Sequence, residues 1–98
     1  MTDWIEIARH PQGYVLSRQA TRWDTRWRTR SRPSRWTRLQ LSHPNWDQSV
    51  HLTWKADERD FGGSDQVIRL SRRLPEIYAW AAGAAESALP ALPRPLRM

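Results

Sequence analysis

From Thr21 to Arg30 the chain alternates without a break, with Thr21, Trp23, Thr25, Trp27 and Thr29 at the odd positions and Arg22, Asp24, Arg26, Arg28 and Arg30 at the even ones. A period of two puts these sets on opposite sides of a pleated strand, whereas a helix would scatter both around its circumference. Thr and Trp also favour pleated surfaces. Ser31-Arg32-Pro33-Ser34 breaks the alternation as a turn, and Trp36 to Ser42 resumes it with Thr37, Leu39 and Leu41 on one face. The expected unit is a β-hairpin with an arginine side and a Trp/Thr side that are different surfaces.

The neighbouring segments read the same way. Trp4-Ile5-Glu6-Ile7-Ala8 alternates, and Tyr14-Val15-Leu16-Ser17 follows a His10-Pro11-Gln12-Gly13 turn, so a first hairpin is expected there. After the turn-like His43-Pro44-Asn45-Trp46-Asp47, Val50, Leu52 and Trp54 alternate with His51, Thr53 and Lys55. Ala56 to Asp65, with four acids and Gly62-Gly63, reads as a loop. Gln66-Val67-Ile68-Arg69-Leu70 reads either as the start of a helix or as a last short strand, and the strand is favoured because Pro75 interrupts any helix running across it. Either Ser71 caps the helix that follows or Pro75 stands in its first turn, and the helix then runs to about Leu89 with Ile77, Trp80, Ala81, Ala84 and Ala88 on one face. Pro90, Pro93 and Pro95 suggest an extended tail.

The expected fold class is α+β: an antiparallel sheet of four to five strands, a meander of hairpins, with one C-terminal helix. A single domain over residues 1–89 and a flexible Pro-rich tail over 90–98 follow from a length of 98 residues. Seven tryptophans and a hydrophobic fraction of 39% supply enough apolar surface to fold without metal or disulfide staples. The absence of cysteine rules out a disulfide framework, a thiolate zinc site and a cysteine nucleophile, and it fits a reducing cytoplasm. No apolar run reaches signal-peptide or membrane-spanning length, so no membrane association is expected.

Charge is concentrated. Residues 18 to 38 hold eight arginines against the single acid Asp24, which leaves the rest of the chain close to neutral. Fifteen of the sixteen basic residues are arginine, whose planar guanidinium stacks on rings and grips phosphate or carboxylate in two-pronged fashion. Catalytic signals are weak by comparison. His10, His43 and His51 lack metal-ligand spacing and read as solvated or hydrogen-bonded, while Asp57, Glu58 and Asp60 share one loop without a matched base. Gly62-Gly63 lacks the context of a phosphate loop. The expectation is therefore a non-enzyme with no cofactor and no metal.

The Trp/Arg stretch has a specific physical rationale. A single nucleic-acid strand offers bases that stack on indole or guanidinium planes and a phosphate track that arginine neutralises. The expected function is sequence-tolerant nucleic-acid binding with a slight preference for single strands. Arg22, Arg26, Arg28, Arg30, Arg32 and Arg35 would sit on phosphates and Trp23, Trp27 or Trp36 would stack; if the Trp/Thr side is instead the core, only the arginine side is left for contact. The rival for the same face is an acidic partner protein, met by an interaction module or inhibitor of the kind made by phages and mobile elements. A homodimer through helix 76–89 is a separate expectation, raised by the small residues Ala81 to Ala85.

Overall fold

The structure is a computed structural model that describes residues 3–20 and 35–89. Five strands, β1 (Trp4–Arg9), β2 (Val15–Gln19), β3 (Trp36–Ser42), β4 (Val50–Lys55) and β5 (Asp60–Phe61), form one antiparallel sheet in the order β1-β2-β3-β4-β5. Two helices follow, α1 (Asp65–Arg73) and α2 (Pro75–Ala88), and this is the expected α+β class with a second helix added. The alternation between residues 21 and 30 and the turn at 31–34 lie outside the described residues, as does the Pro-rich tail. No helix among the described residues is long and apolar enough to cross a membrane.

The ladder explains the core. Residues directly opposite in an antiparallel pair share a face. Leu16 faces Leu41, Leu39 faces Leu52, and Trp54 faces Phe61. All six are buried, together with Val67 and Leu70 of α1 and Ile77, Ala81 and Ala85 of α2. The helices thus cover one side of the sheet, and the residues between the core positions are left on the other. In β1 the register shifts between Glu6 and Ala8, a bulge that lets both Ile7 and Ala8 pack against the core.

The segment expected as a last strand is helical. Val67 and Leu70, three apart, bury one side of α1, and the Ser64 hydroxyl accepts the Val67 N–H at 3.3 Å as an N-cap. Asp65 stands in the first turn and Arg72 and Arg73 in the last, the arrangement a helix dipole favours. Pro75 acts as expected, as a break. Leu74 before it adopts φ −133° and ψ 65°, outside the helical region that proline denies its predecessor, and Pro75 then opens α2 at its first position. Hence there are two helices where one was expected. The small residues Ala81 and Ala85 are buried in the chain's own core.

The expected loop 56–65 also contains structure. Asp60 and Phe61 pair with Lys55 and Trp54 as β5. Beyond them the Gly62 N–H reaches the Thr53 carbonyl at 2.8 Å, and the Gln66 side-chain oxygen accepts the His51 N–H at 3.0 Å. These contacts close the edge of β4, whose backbone groups would otherwise be open to pairing.

Two His-Pro turns at the opposite end of the sheet are built alike. His10 Nδ1 accepts the Gln12 N–H and His43 Nδ1 accepts the Asn45 N–H, each at 3.1 Å. The His10 carbonyl accepts from Gly13 at 2.9 Å, and the His43 carbonyl from Trp46 at 3.0 Å. Because Nδ1 of His43 is an acceptor, its Nε2–H is the donor to the Gln12 carbonyl at 2.9 Å, which ties the two turns together. Gly13 adopts φ +98°, and a Cβ there would lie 3.3 Å from His43 Nε2, so the turn requires glycine. These two histidines are hydrogen-bonded structural groups, as the sequence suggested.

Candidate nucleic-acid interface

The side of the sheet away from the helices carries a different set of residues. Trp36 and Lys55 are ladder partners there, followed by Arg38 with Thr53 and Gln40 with His51. The indole of Trp36 is 62% exposed, and the Lys55 Nζ lies 5.7 Å from its ring centre. An ammonium this close to an indole is within cation–π range. Farther along the same side, the rings of His51 and Trp4 are 6.0 Å apart although β2 and β3 separate their strands.

The segment from Gly62 to Gln66, drawn alongside β4 by the two hydrogen bonds already described, forms a wall against this surface. Between wall and sheet runs a groove of about 1040 Å³, lined by Trp36, Arg38, His51, Thr53 and Lys55 on the sheet side. An exposed indole, two cations and several hydrogen-bonding groups line one channel. Chemically it suits a planar ring stacked on Trp36 with an anion beside it.

Two cations at this end of the sheet have anionic neighbours. Arg35 Nε donates to Asp57 Oδ2 at 3.2 Å, and Lys55 Nζ lies 3.7 Å from Glu58 Oε2. Arg38 makes no ion pair among the described residues. Asp57 and Glu58, read as part of a solvated acidic loop, thus pair with Arg35 and Lys55 on exposed side chains.

Of the residues expected to bind, Trp36 lines the groove, while Arg35, exposed and immediately before β3, is not among its lining residues. Arg22, Arg26, Arg28, Arg30, Arg32, Trp23 and Trp27 lie outside the described residues. Arg38, His51, Thr53 and Lys55 belong to the groove and were not among the expected contacts. Their signal was present in the alternation, since His51, Thr53 and Lys55 fall between the apolar Val50, Leu52 and Trp54. What the alternation lacked was the register that sets Lys55 opposite Trp36. Among the described residues no three His, Cys, Asp or Glu side chains are grouped to hold a metal ion. In comparisons with known proteins the chain matches no family model, no curated protein and no solved structure.

Proposed function

We propose that this is a non-catalytic, cytoplasmic protein that binds nucleic acid with little regard for sequence and a slight preference for single strands. The supporting observation is the exposed Trp36 indole, with Lys55 across the ladder from it and Arg38 two residues along the same face of a groove. Bases stack on the indole, at about 1–3 kcal/mol per base, and the cations take phosphates. Arg22, Arg26, Arg28, Arg30, Arg32 and Arg35 are the further candidates for phosphate contact, and Trp23 and Trp27, on the other side of the alternation, are candidates for stacking only if that side is not core.

Titration of labelled single- and double-stranded oligonucleotides at several salt concentrations, read by Trp fluorescence, tests the reading. The expected result is quenching by single strands and an affinity that falls steeply with salt, with a log–log slope of about −0.7 per phosphate neutralised. Absence of binding at about 50 mM salt, where phosphate contacts are strong, would overturn it and direct attention to an acidic protein as the partner of this face.

A further inference from the structure

We propose that the cleft between α1 and the β3–β4 turn is a second binding site, for an organic carboxylate carried on an apolar or aromatic group. It is a different site from the groove on the outer face and does not depend on the nucleic-acid reading.

The cleft has a volume of about 490 Å³, within the range of small-molecule sites. Its apolar lining comes from both walls, Trp46 and Val50 on one and Leu70 and Leu74 on the other. These walls are held in place. Leu70 is buried, and Trp46, Val50 and Leu74 pack against the core. The Trp46 ring stands edge-on to Tyr14 with centres 5.4 Å apart, and its backbone N–H reaches the His43 carbonyl at 3.0 Å. Gln66 is the one lining residue that this cleft shares with the outer groove, and its side-chain oxygen already accepts the His51 N–H.

Arg69 and Arg73 line the same cleft. Four residues apart on α1, they lie on one helix face, one turn from each other. Like charges at this spacing repel, and no carboxylate of the protein relieves them. No Asp or Glu lines the cleft, and neither arginine makes an ion pair among the described residues. Asp47 in the turn and Asp65, one turn before Arg69, make none either. The helix dipole accounts for Arg73, in the last turn of α1, but not for Arg69. A single solvated arginine means little. Two on one face of a helix, lining an apolar cleft, match a ligand that brings an anion and an apolar group together. A planar carboxylate accepts two parallel N–H bonds from a guanidinium, and the apolar group displaces water from Trp46 and the leucines. A sugar-phosphate backbone, polar throughout, has no counterpart to that lining.

The test adds phenylacetate and N-acetyl-leucine, each alongside its uncharged amide, to isotope-labelled protein and follows the indole N–H signals by NMR. The Trp46 signal is identified by its loss in Trp46→Phe. Both acids are expected to shift it with a Kd of about a millimolar, ordinary for a ligand of about a dozen non-hydrogen atoms. The amides should bind at least about tenfold more weakly, the factor for one charge-assisted hydrogen bond. Arg69→Gln/Arg73→Gln should weaken the acids by a similar factor or more. Arg9→Gln/Arg72→Gln removes the same charge from exposed arginines outside the cleft and should change little. Tighter binding of N-acetyl-leucine would support the site with a peptide terminus as the source of the carboxylate, and tighter binding of phenylacetate would support it with a free aromatic acid. Equal binding of acids and amides, no shift of the Trp46 signal, or equal losses in the two variants overturns the proposal. Displacement of phenylacetate by oligothymidylate also overturns it, by assigning both arginines to nucleic acid. The comparison of acid with amide uses the wild type, so it decides the matter even where thermal melts show a variant to be unfolded.

Discussion

Trp36 and Trp54 occupy neighbouring rungs of the same ladder, with Trp36 opposite Lys55 and Trp54 opposite Thr37. Trp54 is 3% exposed, edge-on to Phe61 with ring centres 5.1 Å apart, while Trp36 is 62% exposed beside an ammonium group. The residue type is the same and the strands are adjacent. What differs is the side of the sheet, and hence whether α1 and α2 or solvent lies above the ring. A tryptophan count therefore cannot separate core from contact surface in such a fold, because the sheet distributes its indoles to both. The large effects of substitution should divide accordingly, with stability on one face and binding on the other.

The widest split is expected between Trp54→Ala and Trp36→Ala. Removing the buried indole opens a cavity beside Phe61 and costs about 3–5 kcal/mol, a large share of what a domain of this size possesses. Removing the exposed one changes stability by no more than about 0.5 kcal/mol yet weakens single-strand binding roughly 5- to 150-fold, the factor for losing one stacked base. Urea unfolding and oligonucleotide titration measure the two quantities on the same samples. A Trp36→Ala protein as unstable as Trp54→Ala would show that the open face is part of the core, and the comparison would fail.

How much of this was legible depends on range. Strands β3 and β4 stand over the residues their alternation marks, Trp36–Ser42 and Val50–Lys55, because a period of two is a local signal that core burial on one side reinforces. The helix α1 was misread because Val67, Ile68 and Leu70 have strand-like composition, and nine residues ended by Pro75 are too few to display a helical period. The Ser64 cap was the overlooked mark. Strand β5 has two residues and exists by pairing with Trp54 and Lys55, so it leaves no pattern of its own. In the candidate site Trp36 was legible from composition. The Arg35–Asp57 pair, 22 residues apart, and the facing of Trp36 by Lys55 are products of register and turn geometry.

A smaller effect sharpens the contrast between faces. Ser64 caps α1, the helix that covers the inner side, and sits in the segment that walls the outer groove. Ser64→Ala is expected to cost about 1 kcal/mol through the lost cap, read as a lower urea midpoint. It removes neither the indole nor a cation, so oligonucleotide affinity well below the melting transition should stay within about twofold of wild type, a difference of only a few tenths of a kcal/mol. A large loss of affinity would mean that the wall, and not only the open face, makes the contact.

The smallest expected effect lies at the border of the inner face, where Tyr78 of α2 packs its ring 5.7 Å from Phe61 and donates its hydroxyl to Asp60 Oδ1 at 2.9 Å. Burial raises the phenol above its ordinary value of about 10, and the hydrogen bond to Asp60 and that carboxylate's negative charge push in the same direction. The sign of the pH dependence follows. The folded state holds the phenolic proton more tightly than the unfolded chain does, so the contribution is fully present below about pH 10, the unfolded value. It is lost as pH rises through the higher folded value. Tyr78→Phe should cost about 0.5 kcal/mol at neutral pH, the low end for a hydrogen bond because solvent reaches the pair. The difference between the alkaline absorbance titrations of the wild type and this variant should reveal one tyrosine that ionises above the ordinary value. If that difference titrates at the ordinary value, Asp60 does not hold the hydroxyl, and β5 is tied to α2 by the Phe61 contact alone.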